Sequence, residues 1–136
     1  MLSQKNIYEI LDSLNHLQLN YRYGFAGSYA KGNAKENSDL DIIVEGKERL
    51  SSDDYFQIYH TLEMISPVQF DIVDMVALKA DDIEMDNKLL EMGVLANDES
   101  AYKNIQKETV WLESDNSWDI LSVLLESEGW LWKNLF

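Results

Sequence analysis

Apolar residues recur along this chain at two spacings, and the two spacings predict different elements. Over residues 3–18 they recur every three or four positions, which predicts an amphipathic helix. Three shorter apolar runs, at residues 21–26, 38–44 and 68–75, have the length and the β-branched or aromatic content of strands. Helix and strand therefore alternate through this part of the chain, as they do in α/β domains.

Turn-forming residues mark the ends of further helices. The Ser-Ser-Asp-Asp cluster at residues 51–54 predicts the start of a helix that runs to about Ile65, because Ser and Asp side chains cap exposed backbone N–H groups. Pro67 ends that helix. Residues 29–33 predict a single helical turn, and a further helix is predicted from about Asp81 to Met92.

The pattern changes near residue 98. Two helical patterns follow, at roughly 99–113 and 117–134, and no strand is needed to explain them. We therefore predict a domain over residues 1–97 and a C-terminal helical segment over 98–136. This segment carries all four tryptophans, which are Trp111, Trp118, Trp130 and Trp132. Aromatic side chains in such number either cover the domain or form an apolar surface for association, so we expect the segment to bind another chain rather than to do chemistry.

Composition and charge narrow the class of protein. The chain has 136 residues, is 46% hydrophobic and carries a formal net charge of −14. That charge argues against stable nucleic-acid binding and favours a cationic partner or bound metal ions. There is no cysteine, which excludes disulfides and thiolate metal sites and fits a cytoplasmic protein. No apolar run approaches the length of a membrane span, so no membrane association is expected.

The chemistry is concentrated in one segment. Asp39 and Asp41 stand one residue apart at the start of an apolar strand, so their side chains face the same way. Two such carboxylates are costly to bury unless a cation lies between them, and oxygen-only ligands favour magnesium or manganese over zinc. The turn at Gly27 and Ser28 can hold phosphates with its backbone N–H groups. Metal and phosphate together indicate a nucleotidyl-transfer site.

A third acidic strand completes the predicted site. Asp71 and Asp74 are three positions apart in a strand, so only one of them can face the Asp39–Asp41 pair. Asp71 lies deeper in the apolar run and is assigned to the site, whereas Asp74 is expected to be exposed near the strand end.

These residues predict a mechanism based on two magnesium ions and a nucleoside triphosphate. Asp39 and Asp41 would hold both ions, and Asp71 would bind the ion on the nucleophile's side and accept the hydroxyl proton. Gly27 and Ser28 would hold the terminal phosphates. Lys31 would offset the charge of the leaving pyrophosphate, although an exposed lysine in a polar loop is an equally good interpretation.

The sequence Gly-Ser-Tyr-Ala-Lys-Gly at residues 27–32, followed by Asn-Ser-Asp-Leu-Asp-Ile-Ile-Val at 37–44 and Phe-Asp-Ile-Val-Asp at 70–74, resembles the minimal nucleotidyltransferase (MNT) group of the polymerase-β-like nucleotidyltransferases. The resemblance covers about residues 7–95. It implies an α/β fold of the α+β kind, with a small mixed sheet and helices on one face. The arginine usual in the family's motif is Lys31 here, which keeps the charge but loses the planar fork of the guanidinium.

The resemblance also implies a partner and a substrate. MNT proteins are commonly paired with HEPN proteins, small helical bundles that include RNase toxins, and known members act as antitoxins by adding AMP from ATP to a toxin tyrosine. Residues 111–126 are weakly similar to the first helix of a HEPN domain, so the tail is interpreted either as a HEPN-like start or as a cap on the sheet. A non-catalytic antitoxin and a nucleotidyltransferase acting on a small molecule such as an aminoglycoside stay open, as does a homo-oligomer.

Overall fold

The computed structural model describes residues 1–93 and 100–112. These residues form one four-stranded sheet with helices between the strands. In chain order the elements are α1 (Gln4–Asn15), β1 (Arg22–Ala26), α2 (Ser28–Lys31), β2 (Leu40–Glu45), α3 (Ser52–Ile65), β3 (Phe70–Asp74), α4 (Met75–Glu91), α5 (Ala101–Glu108) and β4 (Val110–Trp111).

The sheet is mixed, with the strand order β3-β2-β1-β4. β1 runs antiparallel to both of its neighbours, β2 and β4. β2 and β3 run parallel, and the crossover between them is α3. The small mixed sheet predicted from the sequence is confirmed, as are the predicted positions of α1, α3 and the first three strands.

Helices cover both faces of the sheet. On β2, the alternate residues Leu40, Ile42 and Val44 point into the larger apolar cluster, which α1 and α3 complete. Ile43 points the other way, into a smaller cluster with Met75 of α4 and residues of α5. The expectation of helices on one face therefore describes α1 and α3 only. The second layer forms because α4 and α5 each carry apolar side chains that need a surface to cover.

α4 begins earlier than the sequence pattern predicted. It starts at Met75 rather than near Asp81, directly after β3, and the Asp74 side chain caps it by accepting hydrogen bonds from the N–H groups of Val76 (3.1 Å) and Ala77 (3.3 Å). The same carboxylate accepts a 2.8 Å hydrogen bond from the N–H of Leu50. Asp74 is therefore half-buried and not exposed as expected, because its oxygens satisfy backbone donors at the strand-to-helix junction.

The C-terminal part of the described chain supplies a strand, so the prediction that no strand lies beyond residue 98 is wrong. β4 pairs with β1 through the partners Gly24–Trp111 and Phe25–Val110. The Trp111 ring packs on the smaller cluster, and the Arg22 guanidinium lies 3.9 Å from its centre. β4 is thus a strand of the sheet, and α5 packs on the smaller cluster. The division of the chain into two domains at residue 97 stays a prediction, and the helix expected over 117–134, with its three tryptophans, lies outside the described residues.

Across residues 1–93 and 100–112, no helix has both the length and the hydropathy that crossing a membrane requires.

Trp111→Ala tests whether β4 is part of the domain. We expect it to lower the free energy of unfolding by about 2 kcal/mol, because it removes a half-buried aromatic ring and its contact with Arg22. Phe56→Ala is the matched control: Phe56 lies on α3 and is 56% exposed, so its truncation should cost less than about 0.5 kcal/mol. Urea titration of both variants measures the difference, and equal losses would contradict the packing of β4.

Candidate active site

The predicted site residues meet at one end of the sheet. The C-terminal end of β1 lies beside the N-terminal ends of β2 and β3, because Ala26 pairs with Asp41 and Asp41 pairs with Asp71. The turn at Gly27 follows Ala26 directly. Two segments of chain, the turn after β1 and the start of β3, are thereby brought to either side of Asp41.

Asp41 and Asp71 are neighbours on the same face. They are register partners on parallel strands, whose backbones are separated by about 4.8 Å. Asp41 shares its face with Ile43 and Asp71 shares its face with Val73, and both of those residues belong to the smaller cluster under α4 and α5. Asp39 lies just before β2 and is exposed, as is Asp71, whereas Asp41 is half-buried.

Gly27 is required by the approach of the Asp41 carboxylate. Its φ is 72° and its ψ is −149°, a conformation that side chains other than hydrogen rarely tolerate. A Cβ added there would collide with Oδ2 of Asp41. Only glycine leaves room for the Asp41 carboxylate beside this turn, which explains why glycine follows β1.

The acids repel one another at Asp41. Burial raises the pKa of Asp41 above that of an ordinary aspartate, and the negative charges of Asp71, Asp39 and Glu108 raise this pKa further. Asp39 and Asp71, the other two predicted acids, are thus close enough to Asp41 to raise its pKa. Glu108 is a fourth acid that the sequence analysis did not identify.

Glu108 is the last residue of α5 and contacts the turn at Gly27. Its Oε1 accepts a hydrogen bond of 3.1 Å from the N–H of Gly27, and its Oε2 lies 3.3 Å from the ammonium of Lys31. No local pattern could have indicated this contact, because Gly27 and Glu108 are 81 residues apart in the chain. The contact forms because α5 packs against the sheet.

The predicted phosphate-binding residues occupy the turn and the short helix after it. Ser28 is the first residue of α2 and is half-buried, and Lys31 is the last residue of α2, with 57% of its side chain exposed. Lys31 contacts Glu108, and its role in holding phosphate stays a prediction. Gly32 ends α2 in a left-handed conformation.

The donor set at this end of the sheet fits a hard divalent cation. The groups are carboxylate oxygens, and their mutual repulsion at Asp41 is what a bound cation would relieve. Within residues 1–93 and 100–112, no three acidic or histidine side chains are already gathered as metal ligands. The fit therefore rests on the donor chemistry and on the pairing of Asp41 with Asp71.

Comparison with known proteins gives the class of protein. The family model described as "Polymerase beta, Nucleotidyltransferase" matches residues 5–100, and the chain belongs to this family. A relative from Thermococcus cleftensis, described as "Protein adenylyltransferase MntA", is 33% identical over 85 residues, which cover 59% of this chain and 85% of the relative. The chain is thus a nucleotidyltransferase of the minimal (MNT) group, as its motif predicted.

Solved structures agree on the fold. A crystal structure of a toxin–antitoxin with AMP-PNP has a TM-score of 0.50 and 17% identity, with 98% of each chain covered. A mutant of the toxin–antitoxin MntA-HpeT has a TM-score of 0.50 and 13% identity, again with 98% of each chain covered. At these identities the similarity establishes the architecture alone.

Gly27→Ala tests the close approach of turn and carboxylate. We expect it to destabilise the protein by roughly 3 kcal/mol, the sum of an unfavourable φ and a collision with Asp41. Gly32→Ala separates the two causes, because Gly32 also has a positive φ, 77°, but nothing lies within 4 Å of its added Cβ. Thermal unfolding should show a loss of only about 1 kcal/mol for Gly32→Ala. Equal losses in the two variants would mean that Asp41 does not press against the turn.

Asp41→Asn tests the repulsion among the acids. Burial and repulsion give Asp41 a higher pKa in the folded protein than in the unfolded chain. The folded state therefore holds the proton more tightly, and the free energy of unfolding falls as the pH rises from the lower pKa through the higher one. In metal-free buffer we therefore expect Asp41→Asn to be more stable than the parent at pH 7, by less than about 1 kcal/mol because solvent screens a half-exposed group.

The gain should disappear below about pH 3, where an aspartate is protonated in both the folded and the unfolded state. Asp53→Asn, at the exposed start of α3, should give no gain at pH 7, since it removes a favourable interaction with the helix dipole. Melting curves at the two pH values decide, and an Asp41→Asn gain that is independent of pH would contradict the electrostatic explanation.

Proposed function

We propose that this chain is a magnesium-dependent adenylyltransferase that transfers AMP from ATP to a hydroxyl of a protein partner, and that it acts in this way as an antitoxin. The observation that carries the proposal is the pairing of Asp41 with Asp71 beside the Gly27–Ser28 turn. The carboxylates that raise the pKa of Asp41 would be stabilised by bound cations. The turn beside them can bind the phosphates that such cations accompany.

The assignment of roles follows from charge. Asp39 and Asp41 would hold two magnesium ions, and Asp71 would hold the one on the nucleophile's side. When bound, these ions would offset the charge of the triphosphate, which carries about −4, and would stabilise the charge that develops on its phosphate oxygens. Without such cations, the carboxylates of this site would repel a triphosphate.

The chain's own residues perform the remaining tasks. The acceptor oxygen forms a bond to the α-phosphorus as the bond to pyrophosphate breaks, and Asp71 accepts the proton of the hydroxyl. Gly27 and Ser28 hold the terminal phosphates with an N–H group and a hydroxyl. Lys31 offsets the negative charge that develops on the leaving pyrophosphate.

The choice of acceptor is supported by the relatives. The Thermococcus cleftensis relative is described as a protein adenylyltransferase, and the two similar structures are described as toxin–antitoxins. The MNT motif implies a HEPN-type helical partner. A net charge of −14 suits a partner with a basic surface.

A labelling experiment tests the proposal. The chain is incubated with magnesium, ATP labelled at the α-phosphate and a HEPN-type helical protein as acceptor. Label on that protein, dependent on magnesium and not competed by GTP or CTP, is the expected result. Label on an added aminoglycoside instead would favour a small-molecule acceptor, and tight partner binding without label on any acceptor would favour a non-catalytic antitoxin.

Asp41→Asn should reduce the rate of labelling by on the order of 10²–10³, because a neutral amide is a poorer cation ligand and stabilises less charge in the transition state. Asp53→Asn removes the same charge from the exposed start of α3 and should leave the rate unchanged. Circular dichroism shows whether each variant is folded. An Asp41→Asn protein that labels at the parent rate would rule out the proposed role of this residue.

A further inference from the structure

Glu108 occupies groups that the proposed function assigns to the nucleotide. Its carboxylate accepts a hydrogen bond from the N–H of Gly27 at 3.1 Å and contacts the ammonium of Lys31 at 3.3 Å. These are two of the groups proposed to hold the terminal phosphates. We propose that Glu108 determines the nucleotide affinity of the site: its carboxylate takes the place of a phosphate in the nucleotide-free protein and must be displaced when a nucleoside triphosphate binds.

Glu108 and a triphosphate compete for these groups. The Gly27 N–H donates to one acceptor at full strength, and Glu108 already accepts from it. The Lys31 ammonium has three donors and can contact both, but a neighbouring Glu108 carboxylate offsets the positive charge that it offers to a phosphate. A phosphate oxygen placed on the same donors would lie against the Glu108 carboxylate and be repelled by it. The charge of Glu108 also reaches Asp41, where it adds to the repulsion among the acids.

The contact is of a kind that can be displaced. Glu108 is the last residue of α5, and a glutamate side chain has three rotatable bonds through which its carboxylate can leave the turn while the helix stays in place. The Lys31–Glu108 pair is partly open to solvent, with 57% and 21% of the two side chains exposed, and ion pairs in such positions are weak. A magnesium triphosphate with several phosphate oxygens offers the same groups more contacts.

The expected size of the effect follows from mass action. If Glu108 sits on the turn in about nine molecules of ten, the apparent dissociation constant of the nucleotide is about ten times the intrinsic one. Removing the charge of Glu108 should therefore tighten nucleotide binding by about tenfold. This inference rests on the proposed function, because it assigns the turn and Lys31 to the phosphates.

The test compares Glu108→Gln with the parent chain by calorimetric titration of a non-hydrolysable ATP analogue with magnesium. Glu108→Gln preserves the shape of the side chain and removes its charge. Glu84→Gln is the matched control, because Glu84 forms an exposed pair with Lys88 at a similar distance, 3.3 Å, on α4. We expect about tenfold tighter binding for Glu108→Gln, a lower KM for ATP with kcat within about twofold, and no change for Glu84→Gln.

A second measurement examines the contact without nucleotide. Hydrogen exchange of the Gly27 amide should become faster in Glu108→Ala, because this N–H loses its acceptor, and should be unaffected in Glu84→Gln. Unchanged exchange would show that Glu108 does not hold the turn and would overturn the proposal.

The binding outcomes separate this inference from the proposed function. If all proteins bind the nucleotide equally, Glu108 does not compete and only this inference fails. If Glu108→Gln binds more weakly or loses kcat, Glu108 assists the nucleotide or its cations, and the inference is again wrong. If neither the parent nor any variant binds the nucleotide, the proposed function fails together with the inference.

Discussion

The parallel register of β2 and β3, which sets Asp41 beside Asp71, is the constraint on which the rest of this molecule depends. A parallel pair needs a crossover, and α3 provides it, starting at the Ser51 cap and packing on the sheet through Ile58 and Leu62. A shift of the register by one residue would move one of the two carboxylates to the opposite face. The apolar residues that flank the acids on both strands hold the register, because they must stay inside the two clusters.

The clustered carboxylates of the site affect both the stability of the fold and the charged residues around them. Burial and three neighbouring acids raise the pKa of Asp41. Repulsion among these carboxylates therefore lowers the stability of the folded chain at this end of the sheet. The stability that offsets it comes from the apolar clusters on either side. The nearby cation is Lys31, and Glu108 engages it in the structure. If the chain binds cations and a nucleotide as proposed, a few charged groups would couple that binding to the position of α5.

Much of the fold was predictable because its signals are local. The spacing of apolar residues predicted α1, and the Ser51 cap and Pro67 bounded α3. The start of α4 was missed because the strand was predicted to include Met75, whereas Asp74 ends β3 and its side chain caps the helix that follows. β4 was missed because two residues, Val110 and Trp111, carry too little pattern to predict a strand. They are strand only because the edge of β1 is available to pair with them.

The candidate site divides in the same way. The sequence by itself determined that Gly27 and Ser28 make a turn and that Asp71 and Asp74 face apart, since strand alternation and turn chemistry are local. That Asp39 and Asp41 share a face stays a prediction, because Asp39 lies just before β2. Only the tertiary structure decided that Asp71 pairs with Asp41 and that Glu108 lies on the turn. The reason is physical: these contacts join residues far apart in the chain, and they form only when the apolar clusters fix how α4, α5 and the strands pack together.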